Sequence, residues 1–243
     1  MSDISIRTQG HAGRITLTRP KALNALTYDM LRAIETAIDE WLQNDAVKLV
    51  IIDAEGEKAF CAGGDIADLY STGIAGDFAY GRQFWRDEYR LNAKLAEYPK
   101  PVVSLMQGFT MGGGVGIGCH GSNRILCENS QIAMPEVGIG LVPDVGGSMI
   151  LANAPGRLGE YLATTAARMG AGDAILAGFA DTFIPWADWP QLIETMCETG
   201  DTAAIKSISQ TAPPSPLADQ LNAINAGFSG ENLGDILTDL GNE

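Results

Sequence analysis

The sequence has little cysteine, little basic charge and no long apolar run. Its four cysteines form no CxxC pair and no metal-ligand spacing with either of the two histidines. We therefore expect buried free thiols and no metal centre. The absence of about eighteen consecutive apolar residues argues against a membrane-spanning helix. The cysteines and histidines are Cys61, Cys119, Cys127, Cys197, His11 and His120.

Acidic residues outnumber basic ones, with 30 Asp and Glu against 16 Lys and Arg and a net charge of −14. Nucleic-acid binding needs a basic face, so we expect no nucleic-acid partner. An acidic chain can still bind an anionic ligand through backbone N–H groups. Residues 1–5 lack the basic and apolar regions of a secretory signal. This predicts a cytoplasmic protein and leaves open the import of a precursor into an organelle.

Short buried strands alternate with amphipathic helices in the first three quarters of the chain, which predicts the α/β class. Thr27 is the predicted N-cap of the first helix. Strands are predicted over residues 4–9, 14–18, 47–53, 102–106, 123–127 and 131–133. Helices are predicted over 28–43, 78–98, 146–154, 157–168 and 171–177, with a short one after residue 65.

The pattern changes after residue 185. Residues 211–216 contain three prolines and read as a linker. Short helices are predicted over 189–199, 217–226 and 231–240. We therefore divide the chain into a core over residues 1–185, which carries the ligand site, and a partial helical region over residues 186–243.

Two glycine-rich stretches, residues 60–65 and 108–116, each follow a predicted buried strand and lead toward a helix. Glycine leaves the backbone N–H groups bare, and two such groups that converge on one oxygen would form an oxyanion hole. Gly64 and Gly113 are the best-placed donors. Two carboxylates, Glu136 and Asp144, follow in the chain and could act on an acyl group held there.

Some of these glycines permit other interpretations. Gly116, Gly118 and Gly121 spell GxGxxG, which is part of a dinucleotide-binding fingerprint. That fingerprint opens directly from a strand, whereas ten residues separate the predicted strand end at Met106 from Gly116. The glycines at 112–114 could instead serve close helix packing. Cys61 lies in a glycine loop, but no histidine partner is evident for a nucleophilic role.

The acidic residues also have simpler explanations. Glu136 could be a helix cap or a surface charge, and Asp144 could cap the helix that follows it. Periodicity alone predicts that Glu88 is an exposed charge on the helix over 78–98.

Taken together, the motifs resemble those of the crotonase (enoyl-CoA hydratase/isomerase) superfamily. Residues 19–26 resemble its N-terminal signature, and the resemblance covers residues 4 to about 185. It implies a spiral of ββα turns with helices at the C-terminal side, and an acyl-CoA thioester held by two N–H donors. It also implies a homo-oligomer, with a trimer expected by analogy.

Within the superfamily the pattern is most similar to the 3-hydroxyisobutyryl-CoA hydrolase family. The supporting stretches are residues 60–66, 84–92, 110–116 and 133–147. A hydratase of the superfamily uses two glutamates, and Gly116 stands where one of them is needed. Glu136 aligns with the other, and Asp144 stands where hydratases usually have glycine. The pattern therefore implies thioester hydrolysis, as in valine catabolism, rather than addition of water.

The resemblance also assigns roles. Glu136 either attacks the carbonyl or acts as general base on water, while Asp144 and Glu88 orient the 3-hydroxyl group and the water. No metal or redox cofactor is expected, because CoA belongs to the substrate. The family pattern adds weaker substrate contacts at Lys21, Ala22, Ala62 and Ile66.

Two alternatives remain. One is a hydratase or isomerase activity. The other is an acyl-CoA-binding protein with impaired catalysis, since family hydrolases continue beyond the position where this chain stops, at Glu243.

Overall fold

The computed structural model describes residues 3–241, which contain nine strands and eleven α-helices. The strands are β1 (Ile4–Gln9), β2 (Ala12–Leu17), β3 (Leu49–Ala54), β4 (Ala59–Cys61), β5 (Val102–Met106), β6 (Phe109–Met111), β7 (Asn123–Leu126), β8 (Gln131–Ala133) and β9 (Thr182–Phe183). Three short 3-10 helices cover Pro20–Ala22, Glu136–Ile139 and Trp186–Asp188.

The α-helices fall into two groups along the chain. Seven lie before residue 185: α1 (Tyr28–Leu42), α2 (Ile66–Ile74), α3 (Phe78–Ala96), α4 (Gly113–Gly118), α5 (Gly147–Ala152), α6 (Leu158–Thr165) and α7 (Ala171–Leu176). Four follow it: α8 (Trp189–Thr199), α9 (Ala203–Ile208), α10 (Pro216–Gly227) and α11 (Leu233–Gly241).

The strands form two sheets, and the chain passes repeatedly from one sheet to the other. The larger sheet has the order β1-β2-β3-β5-β7-β9, and the smaller one has the order β4-β6-β8. Only the β1–β2 pair is antiparallel among the described strands. Successive pairs, β3 with β4, β5 with β6 and β7 with β8, place one strand in each sheet before the chain turns into helices. The predicted α/β spiral of ββα turns with C-terminal helices is confirmed.

Helices cover both faces of the larger sheet. Leu49 and Ile51 of β3 belong to the cluster that includes residues of α8, whereas Val50 and Ile52 face the cluster that includes α1. This explains why the strand is a continuous apolar run. At the start of α1, Thr27 accepts a hydrogen bond from the Met30 N–H group, as predicted for its N-cap.

Several predicted boundaries differ from the structure. β4, β6, β9 and α9 were not predicted from the sequence. Residues 109–111 lie in the second glycine-rich stretch, where no strand was predicted, yet they pair with both β4 and β8. Strands of two or three residues show no periodicity, so only those flanked by clear turn signals, such as β8, can be predicted; the others are recognised only by their pairing with neighbours. α6 ends at Thr165 rather than 168, because Ala166 adopts a left-handed conformation with φ 55°.

The division of the chain at residue 185 remains a prediction. The expectations that concern Met1, Ser2 and the stop at Glu243 lie outside the described residues. Over residues 3–241, the structure has no helix that is both long and apolar enough to cross a membrane.

Candidate active site

The two glycine-rich loops lie side by side. β4 and β6 are parallel neighbours, so their carboxyl ends meet, and Gly64 follows one while Gly113 follows the other. A Cβ atom built on Gly113 would lie 3.0 Å from the Gly64 nitrogen. Neither glycine N–H donates to an acceptor within residues 3–241. The structure thus presents two neighbouring donors that are free to bind an oxygen.

Glycine is required at positions 112 and 113 because carboxyl groups lie close to the backbone there. A Cβ on Gly112 would lie 2.7 Å from Glu136 Oε1, and one on Gly113 would lie 2.6 Å from Glu88 Oε1. Gly112 also has a φ of 48°, which favours glycine. Any larger residue at these positions would displace the carboxyl groups.

A cavity of about 300 Å³ opens beside the two N–H groups. Seven of the nine predicted site residues line it: Ala62, Gly64, Ile66, Glu88, Gly113, Glu136 and Asp144. Lys21 and Ala22 do not line it. They lie in the 3-10 helix Pro20–Ala22, and Lys21 borders a separate surface depression. The two regions adjoin where the Ala62 N–H donates to the carbonyl of Leu23.

The three carboxyl groups of the cavity come from different parts of the chain. Glu88 is on α3, Glu136 begins the 3-10 helix after β8, and Asp144 lies on the loop before α5. Glu88 is 3% exposed and Glu136 is 6% exposed. The periodicity prediction that Glu88 is a surface charge is therefore wrong, because α3 packs this side chain against α4.

Burial changes the acidity of both glutamates. It raises the pKa of Glu88 to about 8, and repulsion from Asp144 and Glu136 adds to the effect. Burial also raises the pKa of Glu136 to about 7, with a further increase from Asp144 and an opposing decrease from its own backbone N–H. Near neutral pH, Glu88 is therefore largely protonated while Glu136 is divided between its two forms.

Tyr89 forms a hydrogen bond with the Asp144 carboxylate. Its hydroxyl donates to Asp144 Oδ2 at 2.6 Å, and burial together with this bond raises the pKa of the phenol. Asp144 does not cap α5 with its side chain, because the N-cap is Gly146 and no side-chain cap bond is made. The sequence analysis did not identify Tyr89, although it adjoins Glu88.

The side chains nearest to Gly116 are neither acidic nor basic. A Cβ on Gly116 would lie 2.7 Å from Asn92 Nδ2 and 2.9 Å from Val145 Cβ. Asn92 is 3% exposed, and neither its Nδ2 nor its Oδ1 has a hydrogen-bond partner in the described chain. Asn92 is a second residue that the sequence analysis missed, since its amide gives no signal until α3 and α4 are packed together.

The structure also addresses the other interpretations of the glycines. Gly116 and Gly118 are buried in α4, and a Cβ on Gly118 would lie 2.6 Å from Met106 Sδ. These glycines therefore serve close packing and present no surface to a dinucleotide. Cys61 is fully buried, and burial raises the pKa of its thiol to about 12, which disfavours a nucleophile. All four cysteines are free and buried, as predicted.

The paired glycine donors agree with the arrangement that the resemblance to crotonase-like proteins implies. Residues 12–243 match the sequence profile of the enoyl-CoA hydratase/isomerase family, and the chain belongs to this family. It is 43% identical over 242 residues to a protein of Xenopus tropicalis named 3-hydroxyisobutyryl-CoA hydrolase, mitochondrial. That match covers 95% of this chain and 63% of the relative, so the chain spans less than two thirds of that relative's length.

Two solved structures superpose with a TM-score of 0.95 each. One is described as an enoyl-CoA hydratase from Rhodobacter sphaeroides 2.4.1, is 55% identical, and is matched over 99% of this chain and 70% of its own. The other is described as a carnitinyl-CoA dehydratase from Mycobacterium thermoresistibile, is 42% identical, and is matched over the same shares. Both confirm the crotonase fold.

The predicted cytoplasmic location is wrong according to these comparisons. The Xenopus tropicalis relative and those from Gallus gallus and Danio rerio are all named as mitochondrial proteins. The prediction relied on residues 1–5 alone, and those few residues carry too little information to decide a location.

Proposed function

We propose that this protein hydrolyses the thioester of a short branched 3-hydroxyacyl-CoA, with 3-hydroxyisobutyryl-CoA as the substrate. The observation that carries the proposal is the environment of Gly116. The residue itself supplies no acid or base, and Asn92 and Val145 fill the space that a longer side chain would need. Asp144 and Glu136 line the same cavity.

The N–H groups of Gly64 and Gly113 would hold the thioester oxygen. Negative charge gathers on this oxygen when the carbonyl is attacked, and each preorganised donor in such a site is typically worth roughly 3–4 kcal/mol of barrier. Glu88, largely protonated at neutral pH, adds no negative charge next to this oxygen and can donate a hydrogen bond to the substrate's 3-hydroxyl group.

Glu136 can act in two ways. As a nucleophile, its carboxylate would add to the thioester carbonyl and expel the CoA thiolate, which leaves a mixed anhydride for water to cleave. As a general base, it would take a proton from water while the water adds to the carbonyl. A pKa of about 7 suits the second role, because a general base works best when its pKa lies near the operating pH.

Isotope labelling detects one form of the nucleophilic route. Turnover in H₂¹⁸O would place ¹⁸O in the Glu136 carboxyl group if water cleaves the mixed anhydride at the enzyme's own carbonyl. Digestion and mass spectrometry of the peptide containing Glu136 would detect the label. A label found only in the released acid after many turnovers would exclude cleavage at the enzyme's carbonyl; it is the result expected of the general-base route and also of an anhydride that water cleaves at the substrate's carbonyl.

Hydration or isomerisation of an enoyl-CoA is the alternative. Two buried glutamates, Glu88 and Glu136, line the same cavity, and a hydratase needs two acidic groups. The 55% identical structure is described as an enoyl-CoA hydratase. Against this, Glu88 belongs to α3, and position 116 of α4 holds a glycine rather than an acidic residue.

The two functions are distinguished by product. We expect free thiol from 3-hydroxyisobutyryl-CoA and little loss of the double bond from crotonyl-CoA. Glu136→Gln should reduce thiol release by several orders of magnitude, since it removes either the nucleophile or the base. Hydration without thiol release would establish the alternative. Binding of CoA without either product would indicate an acyl-CoA-binding protein.

Two further proposals rest on the family resemblance alone. The reaction would serve valine breakdown if the substrate is confirmed. A trimer remains the expected assembly by analogy, and sedimentation analysis of the purified protein would test it.

A further inference from the structure

His120 contacts the loop that carries Asp144. It lies two residues beyond the end of α4 and is half-buried. Its Nε2 atom is 2.7 Å from the carbonyl oxygen of Val145. A carbonyl only accepts hydrogen bonds, so Nε2 carries the proton and donates it. No step of the proposed hydrolysis uses this histidine.

Val145 has an unusual backbone conformation. Its φ is 48°, in the left-handed region that a β-branched residue rarely adopts. Such a conformation persists only where the surroundings impose it. Its side chain is 2% exposed and packs in the core beside Gly116. The residue before it, Asp144, lines the cavity instead.

The histidine ring also lies directly against Gly146. A Cβ on Gly146 would be 2.8 Å from both His120 Cε1 and Nε2, and Gly146 has a φ of 76°. The ring therefore reaches the Val145 carbonyl only because glycine follows. Burial lowers the pKa of His120, so the neutral ring, with its single donor, is the form that makes this bond near neutral pH.

We propose that His120 is a positioning residue whose bond to the Val145 carbonyl holds Val145 in its left-handed conformation and thereby directs the Asp144 carboxylate into the cavity. The inference depends on the proposed function in one respect only, namely that Asp144 takes part in the reaction. Tyr89 holds the carboxylate itself, while His120 holds the peptide that follows it. The two contacts come from α3 and from the end of α4, so they fix the loop from two directions.

Two variants distinguish the contribution of the aromatic ring of His120 from that of its N–H donor. His120→Phe keeps an aromatic ring and removes the N–H group, whereas His120→Gln keeps an amide donor near the position of Nε2. We expect His120→Phe to lower kcat for thiol release on the order of tenfold to a hundredfold, as displacement of a reacting group does. KM should change little, and His120→Gln should recover most of the lost kcat.

A double-mutant cycle then tests whether the effect passes through Asp144. In an Asp144→Asn background, His120→Phe should cause no further loss of kcat. A loss of the same size in both backgrounds, or an unchanged kcat in His120→Phe, would overturn the proposal while leaving the hydrolase function intact. Thermal unfolding of each variant checks the fold, and His120→Asn, which moves the donor away from the carbonyl, replaces the Phe variant if that variant does not fold.

Amide hydrogen exchange gives a readout that does not need activity. The Gly147 N–H donates to the Asp144 carbonyl at 2.7 Å, so it reports on this loop. We expect faster exchange at Gly147 in His120→Phe and wild-type exchange in His120→Gln. If the wild type releases no thiol, the proposed function fails, yet unchanged exchange in His120→Phe would still show separately that His120 does not hold the loop.

Discussion

Asn92 of α3 lies against Gly116 of α4, with its Nδ2 atom 2.7 Å from the position of a Cβ on that glycine. The next contact along the same helix pair is between Glu88 and Gly113, where the corresponding distance is 2.6 Å. The two helices therefore pack through two glycines that face two buried polar side chains. This arrangement both brings Glu88 to the N–H donors and closes position 116 to any side chain.

Gly116→Ala should consequently destabilise the fold. The new methyl group would meet the Asn92 amide and Val145 Cβ at less than 3 Å, and overpacking of this kind costs about 1–3 kcal/mol of unfolding free energy. Gly73→Ala is the matched control, because Gly73 is in α2 with no atom within 4 Å of its Cβ position. That change should raise the unfolding free energy by about 0.5–1 kcal/mol. Urea titration would measure both, and equal effects would contradict the packing argument.

Tyr89→Phe should impair catalysis more than stability. The variant loses the 2.6 Å bond to Asp144, and the tyrosine is 42% exposed, so little packing is lost. A bond worth about 1 kcal/mol corresponds to a several-fold decrease in kcat. Tyr70→Phe serves as control, since Tyr70 is 69% exposed on α2 and should leave kcat unchanged. Steady-state thiol release measures both variants, and equal kcat values for Tyr89→Phe and wild type would show that Asp144 needs no such support.

The sequence predicted much of the framework but only part of the site. β5 and β8 were predicted at their observed bounds, because each stands between clear turn signals. β6 was missed since three residues flanked by glycine carry no periodicity, and only its pairing with β4 and β8 makes it a strand. The burial of Glu88 could not be predicted for a similar reason, because it depends on tertiary contacts. Helical periodicity identifies the apolar face of α3, whereas α3 also contacts α4 through a polar face.

The pH dependence of thiol release should show two limbs. Glu136 acts in its ionised form, so kcat/KM should rise as the pH increases through about 7. Glu88 ionises near pH 8 and would then place a negative charge beside the oxyanion, so activity should fall above that pH. Glu88→Gln is neutral at every pH and should remove the alkaline fall while keeping the acid limb. Glu40→Gln, at an exposed position of α1, should keep both limbs. An alkaline fall that persists in Glu88→Gln would assign that limb to another group.

Asn92→Leu should make the protein more stable and less active. Leucine has nearly the shape of asparagine, and it would replace two buried polar atoms that have no partner in the described structure. Removing such atoms is neutral or favourable, by up to about 1–3 kcal/mol.

Asn24→Leu is the control. Asn24 is also buried, but its side-chain amide makes hydrogen bonds to Arg19, Glu55 and Ala59, and its φ of 54° disfavours leucine. We expect that variant to lose stability. If Asn92→Leu also loses stability, the amide has a structural partner such as bound water. If it gains stability and keeps full kcat, Asn92 only fills space beside Gly116, whereas a gain in stability with a lower kcat would show that the polar group is retained for catalysis.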